Sequence, residues 1–217
     1  MKPEDVVIRE HHEPLVQLDP GEFELRPQYF KQKLTTDSSV WLREGVVEKL
    51  RAIKAMLPES WNIRIWDGWR SMELQTKLYD QVLHQLRGRH SGASEAEIRE
   101  LALGYLHPPT KVPAPPHSTG GTVDLTLVDA SGQALNFGTD FDEFTEKSHA
   151  DFFDHHGTTS KADQEAKTNR QQLTFLMESE DFVVNPKEWW HWSYGTAQWA
   201  AAKGIEVARY GAIVPKE

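Results

Sequence analysis

The chain has 217 residues, enough to bury a substantial core, and its 38% hydrophobic content with eight Trp and nine Phe argues against extended disorder. A net charge of -9 disfavours attraction to nucleic acid or to an anionic membrane, since a phosphate surface must be met by clustered Lys and Arg. Cysteine is absent, which removes disulfides and thiolate ligands and leaves His, Asp and Glu as the side chains able to hold a metal.

No compositional break divides the sequence, so a single domain over 1–217 is expected. The N-terminus lacks an apolar leader core, and no apolar run is long enough to cross a bilayer, so the chain reads as cytoplasmic with no membrane partner. Residues 1–43 are Pro-rich with scattered Leu25, Tyr29 and Phe30 and receive no assignment. From Glu44 to Leu57 the residues Val46, Val47, Leu50 and Ile53 recur at helical spacing until Pro58. Asn62 to Trp66 alternates as a strand and runs into Asp67-Gly68-Trp69-Arg70, a turn in which Gly68 is free to take a positive φ. Ser71 is placed to cap a helix carrying Leu74, Leu78, Val82 and Leu86, and after a polar bend around Gly88 and Gly92, Ser94 with Glu97 forms a capping box for a second. Residues 107–116 hold five prolines and predict a stiff loop that delivers His117.

Thr122 to Val128 alternates again, with Val123, Leu125 and Leu127 on one face and Thr122, Asp124 and Thr126 on the other. Residues 129–160 are polar and predict a long surface excursion. A helix is expected around Arg170 to Glu178, and the aromatic run Glu188 to Tyr194 reads as a strand. The order of elements predicts an α+β fold with a central antiparallel sheet packed with helices.

Two segments carry chemistry. In His117-Ser118-Thr119-Gly120-Gly121-Thr122-Val123-Asp124 the Gly-Gly turn lets the histidine fold back toward the carboxylate on the following strand. Asp124 sits between apolar residues, where an unpaired charge is costly. In Glu188-Trp189-Trp190-His191-Trp192 a carboxylate precedes a histidine by three positions among indoles that exclude water. Positions three apart do not share a face of a regular strand, so Glu188 is expected at the strand's mouth or on a bulge. Alone, each segment also reads as ordinary structure: a solvated strand face with a turn histidine, or an aromatic core strand. Together they supply two His and one Asp, the ligand count of a catalytic zinc, with Glu188 left to act as a base on water.

The pair His-x6-Asp and Glu-x-x-His in its Glu-Trp-Trp-His setting resembles the VanX-type D-alanyl-D-alanine dipeptidases, whose fold is shared with zinc D-Ala-D-Ala carboxypeptidases and the hedgehog signalling domain. The resemblance extends to Asp67-Gly68-Trp69-Arg70 and to Gly138-Thr139-Asp140-Phe141-Asp142. It implies that His117, Asp124 and His191 hold Zn2+, that Glu188 is the general base, and that Arg70 faces the oxyanion of the tetrahedral intermediate. It places Asp142 near the ammonium of a small dipeptide substrate. Pro115 stands where the family usually has Ser, Thr122 where it has Ala and Ser71 where it has Pro, and the missing hydroxyl at 115 loosens the expectation of a strict D-Ala-D-Ala preference.

Two other activities fit the same residues. One is a D,D- or L,D-carboxypeptidase acting on peptidoglycan stems. The other is a non-haem iron oxygenase, whose facial triad also uses two His and a carboxylate, although it has less use for a base at Glu188. A binding module that has lost catalysis is disfavoured because both Glu188 and Arg70 are kept. The pairs His11-His12 and His155-His156 read as polar surface, and Trp41, Trp61 and Trp199 as core.

Overall fold

The structure is a computed structural model and describes residues 1–110 and 114–215. In chain order the elements are β1 (Val7–Ile8), β2 (Leu15–Gln17), β3 (Glu24–Leu25), α1 (Gln28–Lys31), β4 (Trp41–Arg43), α2 (Glu44–Met56), β5 (Asn62–Asp67), α3 (Met72–Arg89), α4 (Glu95–Ala102), β6 (Thr122–Val128), α5 (Phe152–His156), α6 (Lys161–Ser179), β7 (Val183–Asn185), β8 (Glu188–Ser193), α7 (Ala197–Lys203) and β9 (Val207–Ala208). The stiff loop expected over 107–116 includes residues 111–113, which lie outside the described residues.

The main sheet has the order β3-β5-β6-β8-β7. It is antiparallel from β5 onward, as expected, but its edge pair β3–β5 is parallel. That departure comes from the N-terminal 43 residues, which form more than the sequence suggested: β3 extends the sheet, β2 pairs with β4 and β1 pairs with β9 near the C-terminus. Alternation in β5 turns Ile63 and Ile65 into a core completed by Leu50 and Ile53 of α2 and by Leu173 and Met177 of α6. Helix α6 starts at Lys161, nine residues before the helix expected around Arg170, because its first turns expose Lys161, Gln164 and Glu165 and offer no apolar periodicity. Likewise α3 runs through Gly88 to Arg89, where a bend had been expected.

Caps follow the sequence. Ser71 accepts from the Leu74 amide, and Ser94 and Glu97 cap one another reciprocally. Gly68, by contrast, does not adopt positive φ. A Cβ there would lie 2.6 Å from the Trp41 carbonyl oxygen, so the glycine serves close approach of β4 to the turn. Gly120 is the residue that needs the left-handed region, at φ 71 in the turn after His117. Trp199 is buried in the core, Trp61 packs against it half-buried, Trp41 is half-buried, and His11, His12, His155 and His156 are exposed. Among the described residues no helix is long and apolar enough to cross a membrane.

Candidate metal centre

Strand register builds the centre. In the β6–β8 ladder Asp124 lies directly opposite His191, so period-2 alternation puts both side chains on one face. Strand β6 is buried along its whole length, so Asp124 stands in the interior, not on the solvated face its sequence also allowed. On the other side of β6 the ladder slips. Ile65 pairs with Leu125, but the next pair is Asp67 with Asp124, leaving Trp66 as the extra residue of a bulge. Regular pairing would have set Trp66 opposite Asp124, and the bulge substitutes a second carboxylate there.

His117 arrives in the short 3-10 turn Pro116–Thr119, and its Nδ1 lies 2.8 Å from the Gly68 carbonyl oxygen and 3.3 Å from Asp67 Oδ2. That contact fixes Nδ1 as the protonated nitrogen and leaves Nε2 its lone pair. His117 Nε2 is 3.3 Å from Asp124 Oδ2 and 3.3 Å from His191 Nδ1, and His191 Nδ1 is 3.2 Å from Asp124 Oδ1. Ligand atoms of the three residues all lie within 4.8 Å of one another. Asp124 Oδ1 is buried without a hydrogen bond of proper geometry, although His191 Nδ1 is near. Three donor groups converging on one point, one of them an orphaned carboxylate oxygen, fit a cation between them. Burial works to raise the Asp124 carboxyl, yet the two histidines reverse this and hold it well below the usual carboxylate range.

Glu188 is the first residue of β8. Val184 pairs with Trp192 and the next residue, Asn185, with Glu188, so β8 bulges between these pairs and returns the carboxylate toward His191. This meets the expectation of a mouth or bulge position. Glu188 Oε2 sits 3.3 Å from His191 Nδ1 and accepts from Asn185 Nδ2 at 2.9 Å. Burial raises its proton affinity, the direction that suits a group that takes a proton and later returns it.

Arg70 is buried, not the surface cation that its position after a turn also suggested. Asp67 Oδ2 receives both Nε (2.9 Å) and Nη2 (2.7 Å), Gln75 Oε1 receives Nη1 and the Tyr29 hydroxyl receives Nη2. The guanidinium thereby stays 3.9 Å from Asp124 Oδ2. Asp67 thus holds two partners at once, His117 and Arg70, a link that sequence reasoning missed although the residue opens the Asp-Gly-Trp-Arg segment.

Residues 129–160 do not form a structureless excursion. Arg170 of α6 donates to the carbonyls of Phe137 (2.8 Å), Lys147 (2.8 Å) and His149 (2.6 Å), clamping a loop over residues 137–149 by both ends. Within it Phe141 stacks on Trp66 at 4.7 Å and Thr139 accepts from Trp189 Nε1 at 2.8 Å. This loop carries Asp142, half-buried at φ 60, whose carboxyl is pushed up to about 8 by burial and then by the charge of Asp124. Asp140, Glu143 and Glu146 of the same acidic stretch are exposed.

A buried His-Asp-His cluster beside a raised-affinity glutamate and an anchored arginine defines the constellation of a metal-assisted hydrolase. Residues 29–208 match the family described as D-ala-D-ala dipeptidase (Peptidase_M15), and the chain belongs to that family of peptidases. A D-alanyl-D-alanine dipeptidase of Synechocystis sp. is 29% identical over 175 residues, 73% of this chain and 71% of the relative. One of Escherichia coli is 41% identical over 75 residues, 35% of each chain. Among solved structures, one described as VanYB in complex with D-Alanine-D-Alanine superimposes over 92% of both chains at 15% identity with a TM-score of 0.48.

Proposed function

We propose that the chain is a zinc-dependent dipeptidase acting on D-alanyl-D-alanine or a closely related D-amino-acid dipeptide. The observation that carries this reading is the convergence of His117, Asp124 and His191 within 4.8 Å, with the Glu188 carboxylate 3.3 Å from the His191 nitrogen that faces the cluster. In this reading His117 Nε2, His191 Nδ1 and Asp124 hold the zinc. When bound, the metal supplies Lewis acidity, polarising a peptide carbonyl and bringing the pKa of water down to about 7.

The protein's own groups divide the remaining work. Glu188 Oε2 takes the proton of the attacking water and delivers it to the leaving amine, while Asn185 fixes the carboxylate's direction. Arg70 presents permanent positive charge to the oxygen that becomes negative, and its anchors on Asp67, Gln75 and Tyr29 mean that little reorganisation accompanies the charge. Asp142 meets the substrate ammonium from the roof loop, and the arriving positive charge favours its ionised form, opposing the burial that raises the carboxyl in the empty site. The indoles of Trp66, Trp189 and Trp190, together with Phe141, keep water from this side of the sheet.

The carboxylate next to His191 favours hydrolysis over oxygenase chemistry. The test is a zinc titration followed by an assay with D-Ala-D-Ala and its N-acylated analogue. Stoichiometric zinc and turnover of the free amine support the proposal; preference for the acylated form supports a carboxypeptidase, and oxoglutarate consumption with iron supports an oxygenase.

A further inference from the structure

Beside the candidate centre lies a groove of about 500 Å3 that the hydrolytic chemistry does not use. Its inner end is lined by Tyr29, whose hydroxyl accepts from Arg70, and by Asp142 of the roof loop, so it is continuous with the proposed substrate position. From there it follows α3, where Leu78, Val82 and Leu86 recur every four residues and form its floor. Tyr105 and Phe144, in edge contact at 5.8 Å, close the opposite side, with Phe144 on the same loop as Asp142. Gln81 and Gln85 supply uncharged amides on the solvent-facing rim, and Arg89, exposed at the end of α3, disfavours a cationic side chain there.

The dimensions are informative. At a rise of about 1.5 Å per residue, Val82 lies roughly 6 Å beyond Leu78 along the helix and Leu86 roughly 12 Å. An alanine methyl placed at Asp142 leaves nearly all of this space to solvent. We infer that the groove receives the side chain of the substrate's N-terminal residue, and that the dipeptides this chain prefers carry a large uncharged side chain there, aromatic or amide-tipped. The floor and side walls offer apolar area to the stem of such a side chain, the rim glutamines offer partners to an amide at its tip, and Asp142 at the inner end holds the ammonium of the same residue. This rests on the dipeptidase reading above and specifies its substrate.

The experiment compares D-Ala-D-Ala, D-Gln-D-Ala, D-Phe-D-Ala and D-Phe-D-Ala extended by one N-terminal residue on the zinc-loaded full chain. The wild type is compared with Val82→Trp, which fills the groove, and with Gln85→Trp, which alters only an exposed rim position. The expected result is a kcat/KM for D-Gln-D-Ala and D-Phe-D-Ala about 10-fold or more above that for D-Ala-D-Ala, the scale at which a filled hydrophobic pocket discriminates. Val82→Trp should abolish this advantage and leave D-Ala-D-Ala turnover unchanged. A melting curve confirms that Val82→Trp folds, and if it does not, Gln85→Trp must reduce the advantage on its own. Equal or slower turnover of the large dipeptides overturns the inference while leaving the dipeptidase reading intact, and so does equally fast cleavage of the extended peptide. If no dipeptide is cleaved, the dipeptidase reading fails, and calorimetric binding of the same panel decides the groove separately: tighter binding of D-Phe-D-Ala than of D-Ala-D-Ala, lost in Val82→Trp, upholds it, and equal or absent binding overturns it.

Discussion

The face of the sheet that carries Asp124 and His191, with His117 delivered to it by the turn before β6, and the loop over residues 137–149 that roofs it are held in place by different means. On the sheet, backbone pairing does the positioning: Asp124 is set opposite His191 by the β6–β8 register, and a one-residue bulge sets Asp67 opposite Asp124. The roof has no ladder among the described residues and depends on side chains reaching backbone carbonyls: Arg170 donates to three of the loop's own, and Asn169 donates to that of Asn136 just before it. A ladder tolerates little displacement because a slip of one residue turns every side chain to the other face. A clamp of side-chain bonds permits the loop to be rebuilt without disturbing the sheet. In the proposed division of labour, hydrolytic chemistry resides on the rigid part and substrate choice on the adjustable one.

The largest effect should come from the metal centre that the sheet and the turn before β6 build. His117→Ala removes one of three dispersed donors and is expected to abolish stoichiometric zinc, measured by metal analysis after dialysis, and activity with it. Full zinc occupancy in that variant removes His117 from the ligand set. Glu188→Gln tests the same region without touching a ligand: zinc stays bound, and kcat falls by roughly 10²–10⁴-fold, the usual contribution of a positioned base. Turnover near that of the wild type excludes Glu188 from the chemistry.

The two regions were also unequally legible in the sequence. The alternation of β6 and the His-x6-Asp spacing exposed the centre because strand periodicity and metal chemistry both constrain residue type. Glu188 was placed at a mouth or bulge because three positions cannot share a strand face. Asp67's double contact was invisible, since it depends on the bulge at Trp66, which no residue type announces. The same holds for Arg43, buried from sequence-distant neighbours: it donates to the carbonyls of Thr119, Glu13 and Gly211 and so ties both termini to the turn that follows His117. Arg170's three acceptors are backbone carbonyls, and every residue has one, so the roof clamp left no trace in composition.

Arg170→Met sharpens the comparison by loosening the roof alone. It keeps an unbranched apolar stem against Phe153 but removes the guanidinium donor from three carbonyls, of which that of His149 keeps the Phe152 amide, at a cost of about 2–4 kcal/mol in denaturant unfolding. Zinc affinity should not change, since no ligand lies on the loop, while KM for the dipeptide should rise about 3–10-fold as Asp142 loses its fixed position. A parallel loss of zinc would show that the roof and the sheet are one unit after all.

The smallest effect is expected from Asp142→Asn, and it is read through pH. Asp142 sits at φ 60, a conformation that Asn adopts as readily as Asp, so the backbone is preserved. In the unfolded chain its carboxyl titrates near an ordinary value of about 3.9. In the metal-free folded protein burial, reinforced by the charge of Asp124, pushes it up to about 8. Between these values the folded state keeps a proton that the unfolded state has released, so this group's contribution is fully present below pH 4 and is lost as pH rises to about 8, beyond which it levels off. Asparagine carries no such penalty. In zinc-free protein the two melting temperatures should therefore lie closest at pH 4 and separate as pH rises to 8.5, with the variant melting higher by several °C. Zinc places positive charge beside Asp124, offsets the repulsion on Asp142 and should narrow the gap. A separation that does not change with pH would mean that burial on the roof loop does not hold the Asp142 carboxyl above its ordinary value.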